Sequence, residues 1–247
     1  MAVRHESFRF DGLQVPVEIH GDGEPVIFLP GLGVHPGYYR EGLTRLGRHF
    51  TVFVPDLSFR THADLPARVD RYRQFSEALA ERHAPQALRA GHSYGGFLAL
   101  LGSVPAIALS PLIPLKVGWS NKFGRAVRLQ FREYLGFEGR RGAGWAWNIL
   151  RDYLGTAVMH PTSLFPTVAE TLHCIAHTFR PTAPRAHIVL AEFDRRYLPS
   201  ETEVFLAGSV KETVVVRRVP RGHGLPVTHP ELLETEVLEA VRATRAA

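Results

Sequence analysis

The chain has 247 residues, 45% of them hydrophobic and 21% charged, which fits one large globular domain and excludes a disordered or fibrous protein. No window approaches the roughly 18 consecutive apolar residues of a membrane span, so stable membrane insertion is not expected. Net charge is +5, yet from Leu112 to Pro181 nine Lys/Arg stand against four Asp/Glu while the rest of the chain carries twenty of each, so the whole excess lies in that middle segment.

The opening MAVRHESFRF is interrupted by charge before an apolar run develops, unlike a secretory signal, and the single cysteine, Cys174, forms no internal disulfide. Both point to a cytoplasmic protein. Residues 6 to 10 and 13 to 19 read as a hairpin turned at Asp11-Gly12, an antiparallel edge to whatever sheet follows. Three apolar runs then end in turn residues: Val26-Ile27-Phe28-Leu29 before Pro30-Gly31, Thr51-Val52-Phe53-Val54 before Pro55-Asp56, and Ala87-Leu88-Arg89-Ala90 before Gly91-His92-Ser93. These read as buried parallel strands, with helices at about 37 to 48 and 67 to 83 between them; in the second, Val69, Tyr72, Phe75 and Leu79 recur every three or four residues. A short helix (Phe97 to Leu101) leads to Ala106-Ile107-Ala108-Leu109 and a turn at Ser110-Pro111.

From there the pattern is helical to Pro181. The strand pattern resumes at His187-Ile188-Val189-Leu190-Ala191 and Thr213-Val214-Val215-Val216, with helices near 200 to 207 and 230 to 243. Alternating strand and helix predicts an α/β fold with a mostly parallel sheet, its core formed by 1–111 and 182–247 and interrupted by an all-helical insertion over 112–181.

Gly91-His92-Ser93-Tyr94-Gly95-Gly96 follows a predicted strand and opens a helix, the setting in which a tight turn lifts a serine clear of the sheet. Alone the motif is weak, because three fixed Gly/Ser positions arise by chance in about one such chain in ten. Downstream, Asp194 follows one predicted strand in Glu192-Phe193-Asp194-Arg195, and His223 follows another in Arg221-Gly222-His223-Gly224. Loops after parallel strands are where catalytic groups collect. Serine, acid and histidine in that order, behind that motif, resemble the α/β-hydrolase superfamily across nearly the whole length.

The resemblance implies an eight-stranded, mostly parallel sheet flanked by helices, with a helical lid inserted where the strand pattern pauses. It implies Ser93 as nucleophile, His223 as general base and Asp194 as the acid that orients it. It also implies an oxyanion hole from the backbone N–H groups of Tyr94 and of Leu32 in Leu29-Pro30-Gly31-Leu32-Gly33. Many members carry His-Gly at that loop, where this chain has Pro30-Gly31, and a glycine-rich turn where it reads Asp56-Leu57-Ser58-Phe59-Arg60-Thr61-His62.

Competing assignments are Ser93 as a helix cap, Glu192 in place of Asp194, and His229, before Pro230 at a helix start, in place of His223. His92 is positional, and the helical pair His173 and His177 lacks the glutamate of a metalloprotease motif, so these read as surface or core histidines; a serine acyl-enzyme is expected to need no metal or organic cofactor. Cys174 reads as a small buried hydrophobe. The basic middle segment, with Arg125, Arg128 and Arg132 opposite an apolar face, is open to three readings, a lid, a membrane-surface helix or a site for anionic groups; the default is a solvated lid whose inner side, including Trp119, Phe123, Trp145, Trp147 and Phe165, covers the pocket. The expected partner is therefore a partly apolar small-molecule acyl substrate, not nucleic acid. The expected activity is cleavage of a carboxylic ester or related acyl compound through an acyl-enzyme on Ser93. The same fold also serves thioesters, lactones, C–C bonds and peroxy-acid formation, or a receptor that only holds a ligand.

Overall fold

Val26-Ile27-Phe28-Leu29 has no polar position because both its faces are covered: Val26 and Phe28 pack on one side of a sheet, Ile27 and Leu29 on the other. The computed structural model describes residues 3–57, 69–112, 181–194 and 214–246, with isolated positions at 144, 147, 148, 151, 154, 158, 202, 203 and 206. In it this run forms β3 (Glu24–Leu29), paired in parallel on either side with β4 (Phe50–Pro55) and β5 (Leu88–His92). Beyond β5 the parallel set continues through β6 (Ala106–Leu109), β7 (Ala186–Ala191) and β8 (Val214–Val219).

The predicted hairpin is β1 (Arg4–Phe10) and β2 (Leu13–His20), antiparallel to each other, with β2 antiparallel to β4. Asp11 and Gly12 both take positive φ, 48° and 80°, as a two-residue hairpin turn requires. The result is an eight-stranded sheet in the order β1-β2-β4-β3-β5-β6-β7-β8.

Helices cover both faces. On one lie α2 (Val69–His83) and α3 (Tyr94–Leu100), burying Tyr72, Phe75, Leu79, Phe97 and Leu98 against Val17, Ile27, Leu29 and Ile188. On the other, α1 (Arg40–Leu46) and α5 (Pro230–Ala246) bury Leu43, Leu46, Leu233 and Val237 against Val26, Phe28, Val52 and Val189. Val69, Tyr72, Phe75 and Leu79 are buried as their spacing predicts, and the Arg82 guanidinium stacks over the Phe8 ring at 5.5 Å.

Several boundaries differ from the sequence reading. The helix expected from 37 begins as a 3-10 turn (Pro36–Tyr39) capped by the His35 side chain. The helix expected at Phe97 begins at Tyr94, directly behind Ser93, and α4 (Leu225–Thr228), one turn long, carries no periodic signal from which it could be read. Thr202, Glu203 and Leu206 are helical, as are Gly144, Trp147, Asn148, Arg151, Leu154 and Val158. Otherwise, residues 113–180 of the insertion expected over 112–181 lie outside the described residues, and so do Ser58 to His62, Trp119, Phe123, Trp145, Phe165, His173, Cys174 and His177. Trp147, Leu154 and Val158 are 65%, 57% and 80% exposed.

Candidate active site

The C-terminal ends of β3, β5, β7 and β8 deliver every predicted site residue to one edge of the sheet, where parallel strands end and their loops converge. The turn between β5 and α3 is tight enough to dictate its residues. A Cβ on Gly91 would lie 2.2 Å from the Gly95 carbonyl oxygen, and one on Gly95 would lie 1.9 Å from that of Leu29 and 2.4 Å from that of Pro30. Both glycines are therefore required by backbone-to-backbone contact.

Ser93 at the apex has φ 55° and ψ −116°, a conformation that costs a non-glycine residue about 1–3 kcal/mol. It is held by the hydrogen bond from its N–H to Leu109 O (2.9 Å), while its carbonyl accepts from Phe97 (3.0 Å) and Leu112 (2.9 Å). Its side chain does not cap α3, as the competing reading would require. Instead Ser93 Oγ–H donates to His223 Nε2 at 2.9 Å, and His223 Nδ1–H donates to Asp194 Oδ2 at 2.6 Å. Asp194 and His223 are 3% and 1% exposed.

Two bonds between the β7 and β8 loops fix that spacing, Glu192 N–H to Val219 O (2.8 Å) and Phe193 N–H to Arg221 O (3.0 Å). The competitors lie elsewhere: Glu192 is exposed, and His229 Nδ1 bonds the Thr228 hydroxyl at 3.0 Å. The carboxylate fixes the proton on Nδ1, so Nε2 presents a lone pair to the serine.

The loop after β3 is equally determined. Val34 N–H donates to Gly31 O at 3.0 Å and Gly33 has φ 68°, the marks of a type II turn. Since the Gly31–Leu32 peptide is planar and trans, anchoring its carbonyl also aims the Leu32 N–H the opposite way. Pro30-Gly31 thus leads into an ordered turn.

Tyr94 packs beneath this region, edge-on to Tyr72 at 5.8 Å. Burial, reinforced by the charge of Asp56, pushes the Tyr72 phenol well above its ordinary pKa and keeps it neutral. At the rim, His35 Nε2 lies 3.6 Å from Asp56 Oδ2.

Three features of the site escape the sequence reading. Ser110, read only as a turn, is 2% exposed with φ 41°, a second strained serine one strand away from Ser93. Tyr39, in an unremarkable Tyr38-Tyr39 pair, bonds His92 and Gly31, and His92 proves to be more than a variable position in the motif. Among the described residues no cluster of three or more His, Cys, Asp or Glu could hold a metal ion, and no helix is long and apolar enough to cross a membrane.

Residues 26–236 match the model of the alpha/beta hydrolase family, and the chain belongs to that family. It is 37% identical over 100 residues to a putative non-heme haloperoxidase of Mycobacterium phage D29, a match spanning 38% of this chain and 36% of the phage protein. A serine hydrolase involved in carbazole degradation superposes with a TM-score of 0.72 at 17% identity, covering 98% of this chain and all of that one. A point mutant of the epoxide hydrolase of Solanum tuberosum does so with 0.68 at 16% identity, covering 98% and 100%. At these identities the structural likeness shows the fold alone, so the chemistry must be argued from the site's own residues.

Proposed function

We propose that the protein is a serine hydrolase acting on a carboxylic ester or closely related acyl compound, with Ser93, His223 and Asp194 as its catalytic residues. The observation that carries this reading is the buried relay in which one imidazole bonds Ser93 Oγ at 2.9 Å and Asp194 at 2.6 Å. Ser93 Oγ attacks the acyl carbonyl as its proton passes to His223 Nε2, and the developing oxyanion is received by the N–H groups of Tyr94 and Leu32. Collapse expels the leaving group with the proton from His223. Water, deprotonated by the same imidazole, then attacks the acyl-serine and returns the proton to Oγ.

The nucleophile favours an acyl substrate over an epoxide. Serine opening an epoxide at a saturated carbon would leave an alkyl ether, which activated water does not cleave, so the enzyme would stop after one event. An acyl-serine retains a carbonyl that water can attack.

Labelling with a fluorophosphonate, together with a series of p-nitrophenyl esters of graded length, thioesters and lactones, tests the reading. Labelling and turnover are expected in the wild type and absent in Ser93→Ala, with kcat lowered on the order of 10⁴-fold or more in His223→Ala. Folded wild-type protein that neither labels nor turns over would leave a ligand-holding receptor as the better account. The partial match to the phage haloperoxidase favours one further arm. If hydrogen peroxide reaches the acyl-serine in place of water, the product is the peroxy acid and free Ser93.

A further inference from the structure

Between the nucleophile turn, the oxyanion loop and the base runs a chain of hydrogen bonds that the acyl chemistry does not itself use. Gly31 N–H donates to Tyr39 Oη at 3.0 Å, and Tyr39 Oη lies 2.9 Å from His92 Nδ1. His92 Nε2 lies 2.8 Å from the backbone carbonyl oxygen of His223. Tyr39, His92 and His223 are 1%, 2% and 1% exposed.

The two ends of the chain determine its polarity. A backbone N–H only donates and a carbonyl only accepts, so His92 donates from Nε2 to the His223 carbonyl, and in the neutral ring its Nδ1 then accepts the Tyr39 hydroxyl proton. Tyr39 Oη, with that proton engaged, still has a lone pair for Gly31. In the neutral Nε2–H form of His92 every donor in the chain meets an acceptor.

The close fit is consistent with this. A Cβ on Gly31 would lie 3.3 Å from Tyr39 Oη and 3.6 Å from His92 Nδ1. The Tyr39 ring is wedged edge-on between Phe28 (5.1 Å) and His92 (5.8 Å), and the His92 and His223 rings lie 5.1 Å apart. The His223 ring bonds Ser93 Oγ and Asp194, and the chain ties the peptide preceding the Leu32 donor to the backbone of that base.

We propose that Tyr39 and His92 are positioning residues that hold the oxyanion loop and the catalytic histidine in register with Ser93. The inference rests on the hydrolase reading above. Tyr39→Phe removes one oxygen from the middle of the chain and keeps the ring. His92→Leu removes both bonds, whereas the amide of His92→Gln keeps one donor and one acceptor about as far apart as the imidazole nitrogens and cannot take a third proton.

The test is the rate of fluorophosphonate labelling, together with kcat and KM for p-nitrophenyl butyrate, in the wild type and these variants, with near-ultraviolet circular dichroism reporting the native fold. Tyr39→Phe and His92→Leu should lower labelling rate and kcat on the order of ten- to a hundredfold with KM changed less than threefold. His92→Gln should recover most of that loss. Because both residues act through one chain, Tyr39→Phe/His92→Leu should be no slower than the worse single variant.

Unchanged kcat in folded Tyr39→Phe, or losses that multiply in the double variant, would overturn the proposal, and a rise confined to KM would do the same. If His92→Leu does not fold, Tyr39→Phe and His92→Gln decide it. Failure of the underlying reading is distinct, since then the wild type itself would not label at Ser93.

Discussion

Ser93 holds a backbone conformation few side-chain-bearing residues adopt, and it does so because its neighbours leave no alternative. Gly95 is the sharpest of these constraints. Its missing Cβ would meet two backbone carbonyl oxygens at the end of β3, neither of which can rotate away as a side chain could. Gly12, at φ 80° in the β1–β2 turn, has nothing within 4 Å, so alanine there bears only the conformational cost of left-handed backbone. Gly12→Ala should therefore cost about 1–2 kcal/mol, and Gly95→Ala about 3 kcal/mol or more, with loss of labelling at Ser93. Urea unfolding followed by fluorescence would measure both. Equal destabilisation by the two would mean that contact at the elbow is softer than its geometry implies.

At the scale of elements, what could be read in the sequence was what repeats. The apolar runs and the three-to-four spacing of Val69, Tyr72, Phe75 and Leu79 located strands and helices because burial imposes a period on many residues at once. The loops carrying Ser93, Asp194 and His223 could be placed because each follows such a run. The chain from Gly31 through Tyr39 to His92 could not, because it depends on one hydroxyl and one imidazole meeting across 53 residues of sequence. For the same reason the anchoring of α5 was invisible. Glu236, fully buried on that helix, lies 3.1 Å from His187 Nε2 on β7 and 3.2 Å from Arg217 on β8, the latter an ionic contact rather than an aligned hydrogen bond. Arg217 also bonds Glu239 at 2.5 Å, and these two carboxylates, Glu239 foremost, raise the guanidinium's pKa. Glu236→Ala would leave His187 without its partner but Arg217 still paired and half in water, placing the loss near 3 kcal/mol, the low end for a broken buried pair. Glu236→Gln, which preserves a hydrogen bond to His187, should lose about 1 kcal/mol. Thermal unfolding of the two variants checks the order. Alanine as mild as glutamine would show that apolar packing of Leu233 and Val237 alone holds the helix.

Over the whole molecule, charge and burial combine into a pH profile of stability whose limbs have identifiable origins. His83, at the end of α2, stacks at 4.6 Å from Phe53, and its desolvation lowers its pKa, with Glu6 at 3.7 Å pulling the other way. The unfolded chain therefore takes up this proton first, so the contribution is complete above about pH 6.5 and is lost as pH falls below that value toward the lowered folded-state pKa. Glu18, bonded to His20 at 3.1 Å, has its carboxyl lowered chiefly by that bond, and its contribution is lost further down, as pH falls below the usual carboxylate range. In alkali the sign reverses: Tyr72 ionises in the unfolded chain near pH 10 but resists ionisation when buried, so stability falls as pH rises beyond that point. His83 and Glu18 both border the β1-β2-β4 side of the sheet, so mild acid should weaken that side first. The urea midpoint, measured from pH 4 to 11, should be flat between about 7 and 10 and decline on both sides. His83→Gln should remove the first acid limb while leaving the alkaline one, and Tyr72→Phe should do the converse. An acid limb unchanged in His83→Gln would assign the loss to other groups and sink this division.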